Sequence, residues 1–184
     1  MIILGKVKSV SLYRKPVEVD PLPEIVSNAC GTYTAHLEVA DVIVGSYSGD
    51  EIQIHGIIGE WCDPRMFLQP DSYILELRRT RIGYEDFGII VLYDTDNEGL
   101  AALPYAASGI GKSAVHPVNF AGYYSHLYIS KALADKEFWE QNDQSWFKDE
   151  GDVLFFSKGI PYGVLKKAIV SNKSINFTPL APDS

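Results

Sequence analysis

Leu37-Glu38-Val39-Ala40-Asp41-Val42-Ile43-Val44-Gly45, continued after a short gap by Ile52-Gln53-Ile54, is the stretch from which the fold of this 184-residue chain is read. Leu37, Val39, Val42 and Val44 form an apolar set with Glu38 and Asp41 between them. The alternation slips by one position at Ala40-Asp41. Period two buries one face of a strand and leaves the other wet. A one-residue slip inside such a strand is what a β-bulge looks like in sequence. Gly45, Ser48, Gly49 and Asp50 then supply turn chemistry, and Ile52 and Ile54 resume the alternation. The stretch predicts a long bent strand, a turn and a return strand, the start of a small curved β-barrel.

Working outward, residues 2–13 read as a first strand, with Ile3, Val7, Val10 and Leu12 apolar and Lys6, Lys8, Ser9 and Ser11 on the wet face. Tyr33–Val44 and Glu51–Ile58 are the second and third strands. Between the first two, Pro16, Pro21 and Pro23 mark an excursion, because proline cannot donate to a sheet ladder; a helical turn is expected at Pro23–Val26. Gly56 to Pro70 reads as a long connection carrying Trp61 and Cys62. The turn Pro70-Asp71-Ser72 introduces a fourth strand, Tyr73–Leu77. Gly88–Tyr93 is a fifth, continuous enough in apolar residues to be buried on both faces.

Beyond residue 100 the texture changes. Residues 101–115 are small and irregular. Leu127, Ile129, Leu133, Ala134 and Phe138 recur three or four apart, which predicts a helix over Ser125–Gln141 capped by Ser125 or Ser130. Asp152–Ser157 reads as a short strand. Pro161–Val170 reads as a second helix with Pro161 in its first turn. No internal repeat or low-complexity linker divides the chain. It reads as a single domain over 1–184, with a β-barrel in 2–99 and a helical elaboration in 100–184.

The formal net charge of −8 and pI near 4.9 argue against a phosphate-backbone partner, whose affinity comes from clustered Lys and Arg. The largest basic group, Arg78, Arg79 and Arg81, sits at a strand end and reads as solvated or as a small anionic-ligand site. No apolar run approaches the roughly 20 residues that a membrane span needs. Met1-Ile2-Ile3-Leu4-Gly5 reads as a strand rather than a secretory leader. This leaves a cytoplasmic chain, or one that starts where a mature secreted chain starts. Cys30 and Cys62 are compatible with one disulfide or with two buried thiols.

Several constellations were weighed for chemistry. Asp94, Asp96 and Glu98 fall within five residues, but the spacing of a calcium loop is absent, so they read as an acidic turn. Ser108-Gly109-Ile110-Gly111-Lys112-Ser113 lacks the first glycine and the strand of a phosphate-binding loop. His116 and His126 flank Phe120, Tyr123 and Tyr124 without a local ligand spacing, and His36 and His55 lie in adjacent expected strands. No metal site, cofactor motif or catalytic residue is assigned. The aromatic content carries more: 11 Tyr, 8 Phe and 3 Trp, with Trp139, Trp146 and Phe147 close in sequence. These residues, with Tyr123 and Tyr124, form a candidate contact surface for a protein or a sugar, or they pack the C-terminal half. The sequons at Asn172 and Asn176 matter only in a eukaryotic secreted setting.

Taken together, Gly5-Lys6-Val7, then Leu37-x-Val39-x-x-Val42-Ile43-x-Gly45, Ile52-x-Ile54, the Cys62 loop and Pro70-Asp71-Ser72-Tyr73-Ile74-Leu75-Glu76-Leu77 resemble the netrin-module and tissue-inhibitor-of-metalloproteinase-like group. The resemblance covers about residues 2–93. It implies an OB-type five-stranded barrel; with the helices expected beyond residue 100, the chain reads as mainly β, an OB-type five-stranded barrel with a helical C-terminal extension. Members that inhibit metalloproteinases reach the zinc with an N-terminal cysteine. This chain has no cysteine before Cys30, so that mechanism does not carry over. A Cys30–Cys62 disulfide suits the extracellular habit of the group, as does a periplasmic or secreted location; the alternative is cytoplasmic.

The reading is a non-enzymatic protein-interaction module with a protein partner, no nucleic acid and no membrane span. The alternatives are a hydrolase with a His/carboxylate site in the C-terminal half, and a single-stranded nucleic-acid binder, which the acidic charge disfavours. If the disulfide forms, alkylation of denatured protein from native cells adds no mass until a reductant is present. Two alkyl groups added without reductant exclude it.

Overall fold

The computed structural model describes residues 1–14, 31–58, 72–81, 83–97, 99–107, 110–121 and 127–171. Cys30, Trp61, Cys62, Tyr123, Tyr124, His126 and the two sequons lie outside the described residues, as does the expected helical turn at Pro23–Val26. Among the described residues the chain is mainly β, and no helix is long and apolar enough to cross a membrane. It divides into two compact units, with Met1–Ile89 in the first and Ile90–Phe177 in the second.

The first unit is built from β1 (Ile2–Arg14), β2 (Gly31–Val44), β3 (Glu51–Ile58), β4 (Ser72–Thr80) and the first part of β5 (Gly83–Asp94). Their order is β3-β2-β1-β4-β5, and a parallel pairing of Ile54 with Tyr84 and His55 with Glu85 joins β3 back to β5. Five strands thus form a closed ring. The five expected strands are all present, most of them longer than the periodicity indicated.

The slip at Ala40-Asp41 is a register shift. Gly5 pairs with Val39 and Leu4 with Asp41, which leaves Ala40 as the extra residue on β2. An extra residue bends the strand that carries it. Before it, Tyr33, Ala35 and Leu37 are buried on one face. A second shift, between Ile2 and Ile3, leaves Ile43 without a partner. It corrects the expectation for the strand end: Ile43 is buried and Val44 is 40% exposed, the reverse of a single-slip reading. A third shift lies on β1, where Val7 pairs with Leu37 and Ser9 with His36, leaving Lys8 extra. Glu38 and Glu51 oppose each other across β2 and β3, and the Lys8 ammonium pairs with Glu51. That hydrogen bond holds the Lys8 pKa up and the Glu51 pKa down, with the Coulomb attraction acting the same way. Like charges directly opposite are destabilising, and the bulged lysine offsets this pair.

Ile3, Leu37, Ile54, Tyr73, Ile74 and Leu75 are fully buried in this unit. Gly56 sits opposite Tyr33, whose ring occupies the space that a Cβ there would take.

The second unit takes the end of β5, where Ile90, Leu92 and Tyr93 are buried as a strand covered on both faces should be. β6 (Leu100–Ala102), β11 (Lys158–Pro161) and β7 (His116–Pro117) extend from it. A separate three-stranded sheet has the order β8-β10-β9, from β8 (Tyr128–Ser130), β9 (Phe147–Glu150) and β10 (Val153–Phe156). Two α-helices, α1 (Lys136–Gln141) and α2 (Tyr162–Val170), complete it. Tyr93, Ala101, Leu103, Phe120, Leu127 and Phe156 make its core.

The expected helix over Ser125–Gln141 is corrected here. Tyr128-Ile129-Ser130 is a strand, because Ile129 pairs with Leu154 on β10 and buries its side of a period-two pattern. Leu127 is fully buried while Tyr128 next to it is 39% exposed. Among the described residues of that stretch only the last six are α-helical, and Asp135 caps them, accepting from the Phe138 N–H at 2.9 Å; Ser125 lies outside the described residues. Ser130 makes no side-chain cap. The second helix stands as expected, with Pro161 at its N-cap and Leu165, Ala168 and Ile169 buried.

Gly159 and Gly163 give opposite expectations for alanine. At Gly159 a Cβ would lie 2.8 Å from the Ala102 carbonyl oxygen and 2.7 Å from Phe120 Cζ. A backbone carbonyl in a paired strand cannot move aside, so Gly159→Ala should cost about 1–3 kcal/mol. Gly163 has no heavy atom within 4 Å of its added Cβ and sits inside α2. Gly163→Ala should therefore stabilise by about 0.5–1 kcal/mol through helix entropy. Urea midpoints of the two variants check both signs.

Candidate functional site

Of the aromatic residues singled out from sequence, Trp139, Trp146 and Phe147 are described. Phe147, the first residue of β9, pairs with Phe156 on β10, and the two rings stack at 4.4 Å. Phe156 belongs to the core, so Phe147 is anchored from beneath. Trp139, on α1, meets Phe147 edge-on, with centroids 5.7 Å apart and planes at 88°. Phe138 fills the corner at 4.9 Å from Trp139 and 5.6 Å from Phe147. Such pairs contribute about 0.5–1.5 kcal/mol each beyond their area burial. Trp146, like Phe147, packs against the core, and its backbone carbonyl accepts from the Ser157 N–H at 2.9 Å.

Trp139 and Phe147 are half-buried and line a groove of about 460 Å³ with Lys131, Ala134, Gln144, Asp149 and Leu154. That volume lies within the usual range for ligand clefts, about 300–1,000 Å³. A second hollow, beside α2 and lined by Ile110, Ala114, Val164 and Lys167 among others, holds about 230 Å³ and falls below that range. The larger groove is the candidate site. Its floor is the β9–β10 ladder: Phe147 and Asp149 share one face of β9, and Leu154 stands opposite Asp149. Lys131 forms an ion pair with Asp149 across it.

Two acid caps hold the segment that carries Trp139 and Gln144. Asp135 starts α1. Asn142 closes it, donating its side-chain amide to the Phe138 carbonyl at 2.9 Å. Asp143 then caps the short turn Gln144–Trp146, accepting from the Ser145 N–H at 3.0 Å on one oxygen and from Lys112 at 3.2 Å on the other. These contacts, the backbone hydrogen bond from Ser145 first, hold the Asp143 carboxyl below the ordinary range. Asp135 was overlooked in sequence although an Asp directly before a helical run is a usual signal.

His36 stands opposite Gln53, and His55 opposite Thr34, so the two are offset by two positions along the ladder. His55 Nδ1 is 3.1 Å from Thr34 Oγ1 and Nε2 is 3.3 Å from the Gln53 amide nitrogen. His116 is exposed on β7. Among the described residues no three His, Cys, Asp or Glu side chains converge as metal ligands. Arg78, Arg79 and Arg81 are exposed at the end of β4, and Lys112 is held by Asp143.

No protein-family model matches the chain, and no match was found among curated proteins or solved structures.

Because the folded pKa of Asp143 is lowered, its cap is in place above the normal carboxylate range and is lost as pH falls through the lowered value. A carboxyl-carbon NMR titration should place its midpoint below 3.8. In Asp143→Ala, which removes the acceptor, the Ser145 amide proton should exchange faster at neutral pH; an unchanged rate excludes the cap.

Proposed function

We propose that this chain is a non-enzymatic protein-interaction module whose partner, a protein, is held at the Trp139–Phe147 groove. One observation carries the reading: two large aromatic side chains stay half-exposed on a rigid floor, framed by a charge pair and an amide. Buried aromatic anchors within a polar rim are the usual energetic centre of a protein interface. Trp139 and Phe147 bring that area with little conformational freedom to lose. The aromatics are also set on a strand and a capped helix rather than on a loose loop.

The finer fold assignment belongs to the same proposal. In the first unit we read the ring of five strands as an OB-type barrel of the netrin-module and tissue-inhibitor-like kind. The register shifts on β1 and β2 support this, since bulges give the curvature that small barrels need. The group's extracellular habit then directs the search for the partner to periplasmic or secreted proteins.

A photo-crosslinking residue at Gln144, on the exposed lip of the groove, tests the reading in native cells. It should join the chain to a discrete protein. Trp139→Ala should reduce the yield about tenfold or more. Leu133→Ser, at a 71%-exposed residue that does not line the groove, should leave the yield unchanged. A yield indifferent to Trp139→Ala contradicts the assignment.

A further inference from the structure

The floor of the groove ends at β9, an edge strand among the described residues. In the order β8-β10-β9, β9 has β10 on one side and no described strand on the other. The hydrogen-bond phase of this edge follows from two backbone bonds. Ser157 N–H donates to the Trp146 carbonyl at 2.9 Å, and Lys131 N–H to the Asp152 carbonyl at 3.0 Å. Bonded pairs alternate in an antiparallel ladder. Continuing the first phase along β9 turns the backbone of Lys148 and Glu150 toward Phe155 and Val153 on β10. The second gives Leu154 to Ile129 on β8, as the alternation requires.

The backbone of Phe147 and Asp149 therefore points away from the sheet. Phe147 N–H is taken by the Gln144 carbonyl, which leaves the Phe147 carbonyl and both polar groups of Asp149 along the edge. These are the two β9 residues whose side chains line the groove. One stretch of chain thus offers backbone pairing along its edge and a side-chain cleft on its face.

We propose that the partner docks by strand addition: an extended peptide segment pairs with the outer edge of β9. It carries a basic residue opposite Asp149 and an apolar residue two positions away, opposite Phe147, which enters the groove against Trp139. The proposal rests on the protein-interaction reading above and specifies its chemistry. Backbone pairing with alternate side chains in pockets is a general mode of peptide recognition.

Charge selects the occupant. Two copies of β9 pairing antiparallel about a two-fold axis set a residue opposite its own copy. In the exposed part of the strand that residue is Lys148, Asp149 or Glu150, and each choice opposes like charges. A second copy of this chain is thereby disfavoured. Between residues 130 and 160 acidic side chains outnumber basic ones, and Asp149 remains 67% exposed beside Lys131. A basic residue on the incoming strand meets this field, and one placed two positions from an apolar residue shares its face.

The test is an amide NMR titration of the full ¹⁵N-labelled chain with a capped peptide, Ser-Thr-Lys-Thr-Leu-Thr-Ser. The expected result is saturable shifts over residues 147–150 and at the Trp139 indole N–H. Methylating the Lys and Leu amides of the peptide should weaken binding about tenfold, as the loss of two pairing donors requires. Asp149→Pro should do the same, since proline at an edge position removes an outward donor and no ladder bond. Asp149→Asn, which keeps the edge and removes the charge, should weaken binding only about threefold.

Equal affinity of the methylated peptide, with shifts confined to the groove, overturns strand addition and leaves the interaction module standing. Absence of any shift at about 1 mM peptide, the weak limit of specific contacts, also overturns it. If Gln144 cross-linking is then insensitive to Trp139→Ala as well, the broader reading falls with it.

Discussion

The first unit depends on one constraint: five strands that meet edge to edge must bend, and flat pairing cannot do it. The bend is supplied where β2 carries an unpaired residue at Ala40 and again at Ile43, and where β1 carries one at Lys8. Each shift exchanges a regular ladder position for local curvature. With that curvature, β3 reaches the parallel pairing with β5 that closes the ring. The bulge at Lys8 has a second consequence, because its ammonium lies where Glu38 and Glu51 face one another. Curvature and charge relief come from the same residue.

In the second unit the corresponding element is the Phe147–Phe156 stack. It joins the β9–β10 ladder to the core on one side and to Trp139 on the other. A groove wall gains from such anchoring, since contact residues held in place before binding lose less entropy when the ligand arrives. The two acid caps act to the same end. A six-residue helix is too short to persist on propensity alone, yet α1 is fixed by Asp135 at its start, Asn142 at its end and aromatic contacts along its side. Trp139 is positioned by that short, tightly held piece.

Much of the first unit was legible because its signals are local. Period two, turn residues and a slip at Ala40 can be read without knowing any partner strand. The second shift was hidden because Val42, Ile43 and Val44 are all apolar, and a run of three erases the period that would expose it. The stretch from Leu127 to Phe138 was misread for a different reason. Its apolar spacing satisfies three-and-four as well as it satisfies two, and the deciding partner, Leu154, lies in a strand far along the chain. Neighbouring aromatics at Trp139, Trp146 and Phe147 were visible as a group. That Trp139 and Phe147 line the groove, while Trp146 does not, depends on the turn that Asp143 caps, a tertiary outcome.

The central claim is that Trp139 is a contact residue on a rigid floor rather than a member of the core. Its most direct test compares the denaturant stability of Trp139→Ala with that of Phe156→Ala. Phe156 is 2% exposed, and its truncation should cost about 3–5 kcal/mol. The account predicts that Trp139→Ala costs no more than about half as much, because Trp139 is only partly buried and lines the groove. A cost for Trp139 equal to that for Phe156 would make it part of the packing and contradict the account.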